Sequence, residues 1–324
     1  MYGNPEPDFT VPFKSVTIEG GATLDIEVDV YLPASTGDSA SLSNAVLYIH
    51  GGAMVAMDKT DIPIFLPRYA KSNHLVLIST NYRLAPQGKV QEAASDCIDA
   101  AKWCESDLQK AMDEHASTST SSAYRPQWSG KLAIMGGSAG GWLTLLVAAA
   151  GVPSIKAAAA IYPMTNLSDP HFENPMDVPA YDRETVAEYI DGPIVAGAEP
   201  DLDYETGALK GRHRAAYYMA SQGLWRNWLL GEDHSAATLE AYDARRLVHN
   251  RWPPTFLLHG AGDTTIPPTN SQDMAESLKK SKVEHVLRLV PEKPHFFDML
   301  APQEAEEELG ITDMLTFLVE QMEQ

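Results

Sequence analysis

What most restricts the fold of this chain is a run of short apolar segments separated by stretches with helical spacing. Ala45–Ile49, His74–Ser79, Lys131–Met135 and Ile155–Ile161 read as strands, and Ile62–Ser72, Val90–Ala111 and Ser138–Ala150 as the helices between them. Strands apolar on both faces and joined by helical crossovers fit an open parallel sheet covered on both sides. Val11–Ile18 and Asp25–Tyr31, parted by Gly20-Gly21, predict a hairpin near the sheet edge. Thr255–Leu258, a helix over Ser271–Ser281, a strand over His285–Val290 and a closing helix over Glu304–Met322 resume the alternation.

Between Pro163 and Pro253 the alternation stops. That stretch is rich in Tyr, Trp and acidic residues and turns helical around His213–Ser221 and Ala236–Val248. The expected fold is therefore α/β, a mostly parallel, doubly wound eight-stranded sheet formed by residues 1–162 and 254–324. Residues 163–253 are expected to form an inserted, mostly helical cap, with residues 1–40 as a candidate extra contributor to it. The Ser/Thr tract Ser117–Ser122 is too polar to pack and reads as a surface loop.

Charge narrows the partners. Lys and Arg number 24 against 44 Asp and Glu, a net charge of −20 that repels phosphate backbones and anionic lipid headgroups. Nucleic acid is excluded as an expected partner, and a small neutral or cationic molecule is favoured as substrate. The block Glu304–Glu308 reads as the exposed face of a helix. Cys97 and Cys104 fall in one helical pattern, about 10 Å apart along its axis and beyond disulfide reach, which suits a reducing compartment.

Met1–Thr10 lacks the basic end and apolar run of a secretion signal, and Gly151, Pro153 and Lys156 interrupt the most apolar stretch, Trp142–Tyr162. A cytoplasmic protein without a membrane span is the expectation. No spaced His/Cys cluster suggests a metal, and no G-x-G-x-x-G follows a strand, so neither metal nor nucleotide cofactor is expected.

Gly136-Gly137-Ser138-Ala139-Gly140 matches G-x-S-x-G at the junction of a strand and a helix. A sharp turn there strains the serine, exposes its oxygen above the sheet and sets it at a helix N-terminus that favours developing negative charge. A small-residue helix cap would use the same residues. Upstream, His50-Gly51-Gly52-Ala53 follows another strand, where backbone N–H groups can converge on an oxyanion. Gly52, Ala53 and Ala139 are the candidate donors, with Gly51 supplying the bend and His50 tying the loop down.

A serine needs a base and the base needs a carboxylate. His295 follows the last predicted strand and Asp263 follows Thr255–Leu258, giving the chain order Ser, Asp, His. Asp298, Glu292 and Asp233 are rival acids, and His259 reads as structural. Met54 and Trp142 beside the two motifs are candidate substrate-binding residues. Trp225, Trp228, Tyr217 and Tyr218 of the cap either contact substrate or pack the cap on the sheet.

Together these residues resemble the α/β-hydrolase fold, and within it the hormone-sensitive-lipase-like branch of esterases. The matching segments are His50-Gly-Gly-Ala53, Asn81-Tyr-Arg-Leu-Ala-Pro86 and Gly137-Ser-Ala-Gly-Gly141. Ala53 replaces the branch's third glycine, Gly137 its usual Asp and Gln87 its usual Glu. Gly262-Asp263-Thr-Thr-Ile-Pro267 is similar to the acid turn of other α/β-hydrolases, peptidases included.

The resemblance implies that Ser138 attacks a carbonyl, His295 acts as base and then acid, and Asp263 orients it. The leading expectation is hydrolysis of a small or medium neutral carboxylic ester through an acyl-enzyme. The alternative is a specialised biosynthetic hydrolase or cyclase acting on a larger metabolite, at a lactone, a thioester or a carbon–carbon bond beside a carbonyl. A non-catalytic small-molecule receptor on the same fold is the third reading.

Overall fold

The computed structural model describes residues 4–34, 42–118, 126–198, 206 and 210–324. Among them the apolar runs become eight strands: β1 (Phe9–Thr17), β2 (Thr23–Tyr31), β3 (Leu42–Ile49), β4 (Val76–Thr80), β5 (Gln127–Gly137), β6 (Ile155–Ile161), β7 (Thr255–Gly260) and β8 (His285–Val290). They form one sheet in the order β1-β2-β4-β3-β5-β6-β7-β8. β1 and β2 form the antiparallel hairpin, β2 runs antiparallel to β4, and every pair from β4 through β8 is parallel.

The helices in chain order are α1 (Phe65–Ser72), α2 (Val90–Ser106), α3 (Leu108–Thr118), α4 (Ala139–Ala149), α5 (Ala187–Asp191), α6 (His213–Ser221), α7 (Trp225–Leu230), α8 (Ala236–Ala241), α9 (Thr269–Lys280) and α10 (Ile311–Glu323). Alternate residues of each strand feed two separate cores, because successive side chains of a strand point to opposite faces. Leu47, Ile49, Ile134 and Ala160 pack with α2, α4 and α9 on one face. Tyr48, Met135, Ala159 and Phe256 pack with α1 and α10 on the other. Burial on both faces explains why these strands read as unbroken apolar runs.

The segment between β6 and β7 holds α5 to α8 and short 3-10 turns, and it is tied to the sheet side through backbone and side-chain bonds. Leu84 N donates to Val195 O at 2.9 Å, and the Gln87 amide donates to the carbonyls of Tyr189, Ile190 and Gly192 at 2.9–3.1 Å. β1 and β2 lie in the sheet, while Asn4 Nδ2 donates to the Ile62 carbonyl at 2.7 Å.

Three helix predictions need correction. Val90–Ala111 breaks at Asp107, whose backbone leaves the helical region, so α2 and α3 are separate. Ala236–Val248 ends at Ala241, and Asp243 caps a new 3-10 turn by accepting from the Arg245 amide at 3.1 Å. The closing helix starts at Ile311, after left-handed Gly310, and not at Glu304. Glu304–Glu308 is consequently turn and not a helix face, which agrees with the mutual repulsion of its four carboxylates.

Ser117 and Thr118 end α3, and the rest of the Ser/Thr tract lies outside the described residues. Cys97 and Cys104 are buried, unpaired thiols of α2. No helix of the described residues is long and apolar enough to cross a membrane. Because β3 and β5 to β8 run parallel, their carboxyl ends gather on one edge of the sheet, where such folds hold ligands.

Candidate active site

Ser138 stands between β5 and α4 with φ 57° and ψ −122°, a left-handed-side conformation costly for a residue with a side chain. The turn is held by Ser138 N donating to Ile161 O at 2.9 Å and by Trp142 N donating to Ser138 O at 3.1 Å. Its glycines are steric necessities. A Cβ on Gly140 would sit 2.1 Å from Ile49 O and 2.4 Å from His50 O, and one on Gly136 only 2.5 Å from Ile49 O. Helix α4 therefore starts in backbone contact with the end of β3.

His295, in the loop after β8, reaches Ser138 through Nε2, 3.0 Å from the serine Oγ. Its Nδ1 donates to Asp263 Oδ2 at 2.6 Å. The other Asp263 oxygen accepts from the backbone amides of Thr265 and Ile266 at 2.9 and 3.0 Å. His259 Nε2 lies 3.3 Å from Asp263 Oδ2 and 2.9 Å from Ile266 O, while its Nδ1 accepts from the Ser271 hydroxyl at 2.7 Å. Burial pushes the Asp263 carboxyl up, but hydrogen bonds from His259, His295 and the Ile266 amide outweigh it and hold the group well below the ordinary carboxylate range.

None of the rival acids touches His295. Asp298 is buried and accepts from the Tyr162 hydroxyl. Asp233 is exposed and accepts from the Ser235 amide at 2.9 Å, and Glu292 is exposed on its turn.

The His50–Ala53 turn faces Ser138. A Cβ on Gly51 would lie 3.0 Å from Gly137 O and 3.4 Å from Ser138 Cβ, a tight contact that a side chain there could make only if the two turns moved apart by a few tenths of an ångström. Gly52, Ala53 and Met54 all have positive φ, and Gly52–Met54 forms a 3-10 turn. The first amides of such a turn have no partner within it, and Gly52 and Ala53 line the same cavity as Ser138. Ala139 opens α4 directly after the serine.

The loop is tied down chiefly by Tyr82, whose hydroxyl lies 2.8 Å from Gly51 O and 3.0 Å from His50 O. His50 stacks on the Tyr82 ring at 4.2 Å between centroids, and burial lowers its pKa to about 3, so it is a neutral support.

The cavity above Ser138 has a volume of about 290 Å³, and Met176, His213, Tyr217 and Trp225 of the segment between β6 and β7 line it together with Thr264 and Thr265. Tyr218 and Trp228 pack on each other at 6.1 Å between ring centroids instead. Met54 and Trp142 are corrected as substrate-binding residues. Met54 is fully buried in the core, and Trp142 is fully buried with its indole N–H donated to Tyr242 O at 2.9 Å.

Sequence reasoning missed three supports. Tyr162, just after β6, packs against His295 with the rings tilted by 53° and 4.4 Å between centroids, Tyr82 holds the turn, and His213 lines the cavity. The Tyr82 signal stood in the sequence, inside Asn81–Pro86. Among the described residues no cluster of His, Cys, Asp and Glu is arranged to hold a metal ion.

A sequence profile of the alpha/beta hydrolase fold matches residues 46–206, and one of the prolyl oligopeptidase family matches residues 211–324, the part that contains Asp263 and His295. Curated relatives include methylphloroacetophenone synthase of Cladonia uncialis, 25% identical over 89% of this chain and 12% of that protein. A non-reducing polyketide synthase of Penicillium brevicompactum is 27% identical over 92% of this chain and 15% of that protein. The chain thus spans only 12–15% of the length of these relatives.

An alpha/beta hydrolase superfamily protein from Enterococcus faecalis superposes with a TM-score of 0.65 at 18% identity, covering 97% of this chain and 99% of that one. A Pyrobaculum calidifontis esterase superposes at 0.61 with 21% identity, covering 99% and 86%. With sheet order, serine turn and profile match in agreement, the chain is a member of the α/β-hydrolase fold, with esterases among its structural neighbours.

Proposed function

We propose that this protein is a serine hydrolase that cleaves carboxylic esters of small or medium neutral substrates through an acyl-enzyme. The observation that carries the reading is the unbroken chain of hydrogen bonds from Asp263 through His295 to Ser138, ending at the floor of a cavity. In this reading the ionised Asp263 fixes the His295 ring with its proton on Nδ1, leaving Nε2 to take the Ser138 proton. Ser138 Oγ attacks the substrate carbonyl, and the charge that develops on oxygen meets the amides of Gly52, Ala53 and Ala139, with Gly51 supplying the bend. His295 then passes its proton to the leaving oxygen, and water repeats the sequence on the acyl-enzyme. The net charge of −20 favours a neutral or cationic substrate.

A second reading is favoured by the curated relatives, one named methylphloroacetophenone synthase and one a non-reducing polyketide synthase, which match most of this chain. The same residues would then release or cyclise a larger acyl chain held as a thioester or ester. One assay separates the two: p-nitrophenyl esters from acetate to palmitate beside the matching N-acetylcysteamine thioesters, with Ser138→Ala as blank. Ser138-dependent turnover of short and medium oxygen esters is the expected result. A tenfold or greater preference for thioesters would favour the second reading, and a folded protein inert toward both series would refute serine hydrolysis.

A further inference from the structure

A second cavity of about 340 Å³ adjoins the one that holds Ser138, and among the described residues the two share a single lining residue, Phe296. Its walls are Met57, Phe296, Met299, Ala301 and Leu309, with Lys293 the one charged side chain among the lining residues. Two of these walls back onto the proposed machinery. Phe296 meets His295 edge to face at 4.7 Å between ring centroids and Tyr162 at 6.0 Å. The Met57 side chain lies beneath Gly52, 2.9 Å from where a Cβ would stand. Phe296 itself is only half-buried and has φ 61°, a left-handed conformation that bulky side chains rarely adopt, so the backbone turns its ring into the wall between the cavities.

We infer that the two cavities are compartments of one substrate site, and that Phe296 is the partition setting how long an aliphatic acyl chain the site accepts. The lining chooses the occupant. A mostly apolar chamber walled by two methionines, whose unbranched thioethers adapt to irregular shapes, suits an alkyl chain, with Lys293 its one charged lining side chain. The acyl arm is the one assigned to it because Met57, a wall of this cavity, also packs against Gly52, one of the residues proposed to receive the carbonyl oxygen. The active-site cavity alone suits a short acyl group, and the second cavity gives a longer one somewhere to go once Phe296 yields.

This inference rests on the serine-hydrolase reading, and the experiment keeps their failures apart. kcat/KM is measured over the p-nitrophenyl acetate-to-palmitate series for the wild type, Phe296→Ala, Ala305→Trp and the double variant; an acetate series of lengthening alcohols is the control. Ala305 lines the second cavity, away from Ser138 and His295. Phe296→Ala is expected to raise kcat/KM for long acyl chains relative to acetate by at least tenfold, each methylene that finds room contributing a factor of about four (~0.8 kcal/mol). Ala305→Trp alone leaves acetate hydrolysis within twofold, and in the double variant it cancels the long-chain gain.

Equal loss at every chain length, a gain that survives Ala305→Trp, or a response confined to the alcohol series overturns the inference. Should Ala305→Trp fail to fold, Ala305→Leu is the smaller filler. Decanoate binding to Ser138→Ala protein, followed by calorimetry, is the readout independent of turnover. Tighter binding with Phe296→Ala, cancelled by Ala305→Trp, supports the shared site even if no ester is hydrolysed. Affinity unchanged by both substitutions sinks it even if acetate is turned over.

Discussion

Gly140→Ala tests the idea that the reacting serine is positioned by backbone contact between α4 and the end of β3. The added carbon would lie 2.1 Å from Ile49 O, 2.4 Å from His50 O and 2.7 Å from the His50 carbonyl carbon, all of them backbone atoms that no rotamer change can move. Real Cβ atoms essentially never approach below 3.0 Å, so α4 and the β3 end must part by about 1 Å. Overpacking of this kind costs about 1–3 kcal/mol when side chains can yield, and here only backbone can, so the upper value is the floor. For a chain of this length that lowers Tm by roughly 5 °C or more.

The functional loss should exceed the loss of folded protein. The same movement carries the His50–Ala53 turn away from Ser138, and a misplacement of about 1 Å costs on the order of 100-fold in rate. The assay is kcat/KM for a short p-nitrophenyl ester at 25 °C, well below the variant's Tm, beside thermal unfolding. Gly130→Ala serves as control, since its φ of 81° makes an alanine there strained while nothing lies within 4 Å of its Cβ position. A Gly140→Ala protein with Tm and kcat/KM both near wild type would refute the account of this turn.

Further outcomes follow from the same geometry. Ser138→Ala and His295→Ala each lower kcat by roughly 10⁶-fold, and Asp263→Asn by roughly 10³–10⁴-fold, with far-ultraviolet circular dichroism unchanged; near-normal rates in Asp263→Asn would hand the role to another carboxylate. Because the folded Asp263 carboxyl is held below its unfolded value, it stabilises the fold above about pH 4 and loses that contribution as pH falls further. Asp263→Asn should therefore flatten the acid limb of a Tm-against-pH curve.

Asp298 has the opposite sign. Burial raises its pKa to about 6 against the hydrogen bond from Tyr162, so the fold binds its proton more tightly than the unfolded chain does and stability falls as pH rises from 3.8 to about 6. Asp298→Asn keeps an acceptor for Tyr162 and should remove that fall; an unchanged slope would place the titration elsewhere. Tyr82→Phe strips the donor from the Gly51 and His50 carbonyls, and should cost about 1–3 kcal/mol of stability together with a several-fold drop in kcat. A variant with wild-type Tm and kcat would show that the turn needs no such tie.

The sheet and the proposed triad were legible in the sequence for one physical reason. Parallel strands buried on both faces must be continuously apolar, and the turns at their carboxyl ends must carry whatever the ligand meets. The bounds of Ile155–Ile161 and His285–Val290 agree with the sequence reading to the residue; Ser138 and Asp263 follow the buried strands β5 and β7, and His295 follows the half-exposed edge strand β8. Helix ends were less legible where the break depends on a single backbone residue, as at Asp107, or where like charges oppose a helix that propensity alone would allow, as at Glu304–Glu308.

What escaped sequence reasoning depends on contacts between residues far apart in the chain. Asp298 reads as a rival acid that its three-residue distance from His295 counts against, but the sequence does not show its partner, the Tyr162 hydroxyl just after β6. Trp142 sits four residues after the serine and turns its indole away to Tyr242. Helical periodicity cannot say which neighbour of a catalytic residue faces the ligand and which faces the core, since one turn of α4 offers both directions.

The same limit decides where substrate selectivity is written. The proposed chemistry draws on residues that open strand-end turns, but the cavity wall comes from Met176, His213, Tyr217 and Trp225 of the long segment between β6 and β7, and from Phe296 beside the histidine. None of those positions is fixed by the needs of acyl transfer, so one triad can serve a short ester or a long acyl chain while these side chains change. The substitutions that separate the two proposed readings should therefore alter chain-length preference at Phe296 and the segment between β6 and β7, and leave the dependence on Ser138 untouched.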